Sequence, residues 1–297
     1  MNKNNLVISP KKKKYDIGLG LLFLVPSFVL FTMFNYYPML KTILTTFQVT
    51  DSLGNFIRWN GLENWKRAFA DPTVRMAISN TFEYAGLVLI FTFGGAMLMA
   101  VICAKKTKGS KIYQMLYMLP MVIAAAPASA VWIFILREPG GFLNSLLGTD
   151  VAWLQDTSKT MLVVALVSAW SHIPGNFIVL LAGFRNVSED LLEAATIDGA
   201  GWWTKMFKIM IPLASPQIFF VLFVSIIAAL KGFGTIKLLS NGGPAYATTT
   251  LMVSIYQQVS KFGQVQTGCC LALVLFAIIF AVTRIQFLFE KKFVFYQ

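Results

Sequence analysis

Acidic residues are scarce in this chain, histidine occurs once, and cysteine appears only three times. Each shortage excludes something. A single histidine with no paired ligand spacing leaves no basis for a metal centre. Cys103, Cys269 and Cys270 are odd in number and lie in or at the ends of apolar segments, so they imply no disulfide framework. No G-x-x-x-x-G-K-[S/T] stretch is present to cradle nucleotide phosphates, and there is no nucleophile elbow or H-E-x-x-H. The pairs Gly94-Gly95 and Gly242-Gly243 lack a strand before them and a basic residue after them. Nothing here reads as an enzyme, and no cofactor site of the chain's own is expected.

What the chain has is apolar surface. Of its 297 residues 57% are hydrophobic and 13% charged, far from the balance of a soluble domain. A bilayer core needs about 20 consecutive apolar residues per spanning helix. Six stretches qualify: Ile17–Tyr37, Ile78–Cys103, Ile112–Leu136, Met161–Arg185, Leu213–Ile236 and Thr267–Phe289. Each is too long for a strand of a membrane barrel. The expected fold is therefore an all-α integral membrane domain over 17–289, between a basic tail (1–16) and a short tail (290–297). Its longer connections are 38–77, 186–212 and 237–266.

Fifteen basic residues fall on one side of this arrangement, in the tails, around Lys105 and Lys111, and around Arg185, Lys205 and Lys208. Nine fall on the other side. The positive-inside bias places both termini and the 186–212 loop in the cytoplasm. The net charge of +12 gathers at helix ends, where anionic lipid headgroups accept it, so a nucleic-acid partner is not expected. The first apolar run is too long for a signal peptide and leads into Asn35-Tyr36-Tyr37-Pro38, which suits an uncleaved first helix.

The 186–212 loop is the most informative segment. Ser188 is placed as an N-cap, with Glu189 and Asp190 where the helix dipole favours negative charge. Leu191, Leu192, Ala194 and Ala195 form a small apolar face that Gly199 can end. A second short helix follows with Trp203, Phe207 and Ile211 on one face, and Pro212 closes it. The residues alone leave two readings open, a docking element for another protein or an amphipathic hairpin lying on the headgroups.

The run Glu193-Ala194-Ala195, Gly199, Ile209, Ile211-Pro212 resembles the E-A-A-x3-G-x9-I-x-L-P signature of permease subunits of ATP-binding-cassette importers, with isoleucine for leucine at 211. The extended form through Asp198 and Ala200 also matches. Gly242-Gly243-Pro244 followed by Thr248 to Leu251 resembles a segment of the sugar-importing branch, the maltose and glycerol-3-phosphate-type permeases. Further likeness lies in Gly61 to Trp65 with Asn80-Thr81, and in Asn144 to Leu147 ahead of Trp153-Leu154.

The resemblance implies a type I importer permease working as one of a pair of related chains. Its partners would be two cytoplasmic ATPase subunits that hold ATP and Mg, an extracytoplasmic solute-binding protein and a carbohydrate substrate. The setting would be a bacterial or archaeal cell membrane. The 186–212 loop would be a coupling element docked on the ATPase, with Glu193 pairing a donor there, Ala194 and Ala195 packing closely, and Gly199 providing the bend.

Proline- or glycine-interrupted helices mark binding sites in transporters. The fourth segment holds Trp170-Ser171-His172-Ile173-Pro174-Gly175-Asn176 about halfway along, a cluster with hydrogen-bonding groups and an aromatic surface for a sugar ring. Ser225, Ala229 and Gly232 of the fifth segment are expected to face it, with Gly232 giving room. Each has a structural alternative: an imidazole satisfied by a neighbouring helix for His172, and a bond to its own helix for Ser225. Glu83 and Lys231 are expected near the outer interface, either lining a vestibule or snorkelling to water.

Overall fold

The computed structural model of the chain describes residues 10–51, 55–105 and 109–294, with side chains from residue 19 onward except 292 and 293. Lys3, Lys106 and Lys108 of the basic side lie outside the described residues, as do the side chains of Lys11 to Lys14 and Lys292.

Helices α1 (Pro10–Phe31) and α2 (Tyr37–Thr45) join through a π turn at Thr32–Tyr36. An antiparallel hairpin follows, β1 (Gln48–Thr50) with β2 (Phe56–Trp59), then α3 (Glu63–Ala70). Next come α4 (Pro72–Ala104), α5 (Ser110–Val122), α6 (Ala125–Leu136), α7 (Phe142–Leu147) and α8 (Thr160–Arg185). The 186–212 loop carries α9 (Glu189–Ile197) and α10 (Trp202–Lys205), which runs through a π turn at Met206–Met210 into α11 (Ile211–Leu213). The chain ends with α12 (Ser215–Leu230), α13 (Gly234–Leu239), α14 (Leu251–Tyr256) and α15 (Val265–Phe293). Among the described residues five helical stretches are long and apolar enough to cross a membrane, or six if α5 and α6 count as one bent span.

The helix ends depart from the apolar runs. The first helical stretch continues to Thr45 rather than stopping near Tyr37. The second begins at Pro72, not Ile78, because the Asp71 carboxylate accepts the Thr73 N–H at 2.8 Å and proline suits the first helical turn. The 38–77 connection is thereby reduced to residues 46–71, and helix takes up about half of 237–266. The last helix starts at Val265, two residues before the apolar run.

Ile112–Leu136 is not one helix. The α5 and α6 axes meet at 98° across Ile123-Ala124. Pro127 has no N–H for the Ile123 carbonyl, and its ring would collide with that group if the helix continued, so the chain breaks there and restarts. Leu213–Ile236 is likewise interrupted, at Ala214 and again between Leu230 and Gly234.

Pro212, expected to close the second loop helix, sits one residue before its end at Leu213. The π turn ahead of it has the Ile211 N–H reaching back to Met206, which widens the turn where the proline ring would press on the Lys208 carbonyl. The π turn ahead of Pro38 has the same relation to its proline.

The core is built on α4 against α8, the most extensive helix pair. At one end Ala96 and Ala100 are fully buried among Phe177, Leu180 and Phe184, and Met206 and Met210 close the cluster. Small residues let the helix backbones approach where no hydrophobic drive separates protein from lipid. At the other end Tyr84 and Val88 pack with Val164, Val167, Ala229 and Leu230. Val74, Ala77, Leu251, Leu271 and Leu275 fasten α14 and α15 to the start of α4.

Candidate functional site

Three helices and one turn enclose a cavity of about 320 Å³. Tyr84, Val88 and Thr92 come from α4, His172 and Asn176 from α8, and Val224, Ser225, Ala228 and Ala229 from α12. The turn after Lys231 and the start of α13, to Thr235, lie at its rim, and Ala125, at the break between α5 and α6, completes the wall. Asn176 Nδ2 donates to Ser225 Oγ at 2.7 Å, tying α8 to α12 across the cavity. The bond to its own helix open to Ser225 therefore gives way to one between helices. His172 Nδ1 lies 2.7 Å from the Ser168 carbonyl. A carbonyl only accepts, so in the neutral ring Nδ1 holds the proton and Nε2 is left as an acceptor.

Five of the eight expected pathway residues, His172, Asn176, Ser225, Ala229 and Gly232, meet at this cavity. Trp170, Ser171 and Gly175 do not line it. Trp170 lines a separate apolar cavity and meets Trp132 edge-on at 5.5 Å. Ser171 bonds back to the Val167 carbonyl. The room expected at Gly232 is occupied: the Tyr84 ring lies where a side chain would be, and its hydroxyl donates to Ser168 Oγ at 2.8 Å.

Lys231 and Glu83 are both exposed; Lys231 lines the cavity and Glu83 does not. Thr92 is hidden in the sequence by the apolar run around it. Its helical phase with Tyr84 and Val88, four residues apart each time, was the available signal.

The loop is built as two short helices joined at Gly199. Ser188 occupies the N-cap position without a side-chain bond, and Glu189 and Asp190 place negative charge in the first turn. Gly199 adopts φ +81°, and its N–H reaches Thr196 while that of Ala200 reaches Ala195 at 2.8 Å. This closes the helix with the paired bonds of a Schellman motif. Lys205 Nζ donates to Thr196 Oγ1 at 2.9 Å and joins the two short helices.

Glu193, Ala194 and Asp198 are exposed and Ala195 half-buried, while Ile209 and Pro212 are partly buried. The face read as Trp203, Phe207 and Ile211 divides: Trp203 and Phe207 stack 5.9 Å apart and point outward, at 62% and 61% exposure. The inward stripe is Trp202, Met206 and Met210, one residue earlier at each step. Ile197 is 88% exposed, a large apolar side chain left at the tip of α9.

The remaining sequence motifs turn out to be hydrogen-bonded joints. Asn80 Nδ2 donates to the Tyr246 and Thr249 carbonyls, and the Leu251 N–H donates to Thr81 Oγ1 at 2.8 Å. Thr248 and Thr249 donate to the carbonyls of Gly243 and Gly242, both at 2.8 Å. Gly242 needs to be glycine, since φ is +89° and a side chain would strike Thr249. Buried Asn144 accepts from Trp153 Nε1 at 2.8 Å and exchanges bonds with the Val151 backbone. Buried Asn64 donates to the Thr46 and Gln48 carbonyls, which holds α3 beneath the hairpin.

The chain resembles known proteins over nearly its whole length. The model of the family described as "binding-protein-dependent transport system inner membrane component" matches residues 100–294. The sn-glycerol-3-phosphate transport system permease protein UgpA of Brucella abortus is 31% identical over 277 residues, covering 92% of this chain and 94% of the relative. UgpA of Yersinia pseudotuberculosis is 30% identical over 291 residues, covering 96% and 99%. Among solved structures, a chain of a bacterial ABC transporter involved in import of the acidic polysaccharide alginate superposes with a TM-score of 0.84 at 22% identity, covering 95% of this chain and 98% of that one. Helical architecture, family match and relatives agree: the chain belongs to the binding-protein-dependent transport system inner membrane component family.

Proposed function

We propose that the chain forms half of a transmembrane pathway for a carbohydrate or sugar-like solute, driven by ATP hydrolysis on separate subunits. A second, related permease completes the pathway. Two ATPase subunits carrying ATP and Mg dock against the 186–212 loop in the cytoplasm, and a solute-binding protein delivers the solute from the opposite side. Both termini then lie in the cytoplasm, following the basic residues at the loop end.

One observation carries this reading. The two helices that tie the cavity together are the two that flank the loop: α8 brings Asn176 and runs into it, and α12, which brings Ser225, leaves it. A displacement of the loop is therefore delivered to opposite walls of one cavity, through Asn186 to Ser188 into α8 on one side and through the π turn ahead of Pro212 and the one-residue break at Ala214 into α12 on the other. Such a device requires the outward-facing loop surface, Glu193, Ala194, Ile197 and Trp203, to meet a moving partner. A proton- or sodium-coupled mechanism would need a carboxylate at the cavity, and none of its lining residues is one.

The test is affinity purification of the tagged chain in mild detergent, with mass spectrometry of the bound proteins. An ATPase subunit and a second permease with its own E-A-A loop are expected. A chain that purifies alone or only with itself overturns the reading.

A further inference from the structure

Two side chains of the cavity are unexplained by a path for a neutral sugar. Lys231 follows the last turn of α12 and lines the cavity. Among the described residues its ammonium group makes no hydrogen bond or ion pair, and no carboxylate lines the cavity to balance it. Thr92 is 2% exposed, yet its hydroxyl has no partner. Buried hydroxyls on these helices ordinarily bond back one turn, as Thr81 does to the Ala77 carbonyl and Ser129 to that of Ala125. Thr92 does not, so its polar atom is left at the cavity wall for water or a solute hydroxyl.

We propose that the solute bears an anionic group, phosphate or carboxylate, on a hydroxylated frame, and that Lys231 selects for that group. The inference rests on the import reading above. Lys231, exposed at the rim, supplies the lone charge of the cavity lining, and its ammonium holds an anion by charge as well as by hydrogen bonding but a hydroxyl by hydrogen bonding only. The hydroxylated frame meets Thr92 Oγ1, the Asn176–Ser225 pair and His172, groups that donate or accept hydrogen bonds. Charge is then read at the rim and hydroxyl pattern deeper in.

The test uses the complete importer, both permeases with the ATPase and binding protein, in proteoliposomes supplied with three matched radiolabelled pairs. These are sn-glycerol 3-phosphate with glycerol, glucose 6-phosphate with glucose, and galacturonate with galactose. The wild type is expected to accumulate an anionic member over its neutral partner. Lys231→Gln lowers that uptake about tenfold and collapses the ratio of anionic to neutral uptake, while Lys231→Arg restores most of it. A merely structural lysine would lower uptake without moving the ratio. Accumulation of neutral members alone, uptake of none of the six, or an unchanged ratio in Lys231→Gln overturns the proposal. ATP hydrolysis and subunit composition are measured on the same preparation. An intact, hydrolysing complex that imports a neutral sugar sinks the anion inference and leaves the import reading standing, whereas a chain without an ATPase partner sinks the import reading itself.

Discussion

Replacing Gly199 separates backbone conformation from side-chain bulk. Its φ of +81° is a left-handed conformation, and no atom lies within 4 Å of where a side chain would begin. Substitution is therefore penalised by conformation and not by collision within this chain. A non-glycine residue in this region costs roughly 1–2 kcal/mol, asparagine least and a β-branched residue most. Energies of that size shift the ratio of bent to unbent loop by about 5- to 30-fold. The two backbone bonds from Gly199 and Ala200 are lost with the bend.

Uptake by the reconstituted importer should fall in the order Gly199, Gly199→Asn, Gly199→Ala, Gly199→Val, although asparagine is bulkier than alanine. The variants should insert and keep the parent melting temperature in detergent, because the glycine belongs to an exposed turn outside the packed clusters. Uptake that tracks side-chain volume, with alanine better than asparagine, refutes the conformational argument. Normal uptake by Gly199→Val refutes the loop's role in transmitting motion.

Asn144→Ala leaves the Trp153 indole N–H and both Val151 backbone groups without their partner, a loss of about 1–3 kcal/mol per buried group, and should lower the melting temperature measurably in detergent. Thr81→Val keeps the shape but removes the acceptor of the Leu251 N–H; faster hydrogen exchange confined to residues 248–251 is expected, and unchanged exchange there would count against the joint. Asp156 accepts from Lys159, then from the Ser158 hydroxyl and N–H, and these bonds hold its carboxyl below the usual carboxylate range. A lowered folded-state value stabilises the fold above the ordinary carboxylate pKa and loses that effect as pH falls through the lowered one. The melting-temperature gap between the parent and Asp156→Asn should thus be constant near neutrality and close only below about pH 4.

Composition and segment length were enough to expect an all-helical membrane domain, because the cost of unpaired backbone in lipid leaves few alternatives. Helix ends were less legible. Asp71 and Pro72 begin α4 in a polar stretch that a hydropathy reading passes over, since capping is local hydrogen-bond chemistry. The break at Ile123-Ala124 was signalled by Pro127, but an unbroken apolar run concealed it. Asn176 and Ser225 were placed together from helix position alone and are in fact bonded. Trp170 was misplaced because an aromatic beside a proline resembles a sugar platform, while its phase on α8 turns it toward Trp132. The face of the second loop helix was off by one residue: Trp202 and Trp203 are equally apolar, and only packing against Met206 and Met210 distinguishes them.

The contact of Gly232 with Tyr84 limits how such a cavity can change over time. Adding one carbon at Gly232 would push the Tyr84 ring away from Ser168 and shift the wall that α4 provides. The Asn176–Ser225 pair is constrained in turn, since altering either partner removes the hydrogen bond between α8 and α12. Lys231 and Thr92 are free of such ties and can be exchanged without dismantling their surroundings. A lineage adapting to a different solute therefore has its open positions there, while the residues that look most like a binding site are held in place by the packing of the membrane domain.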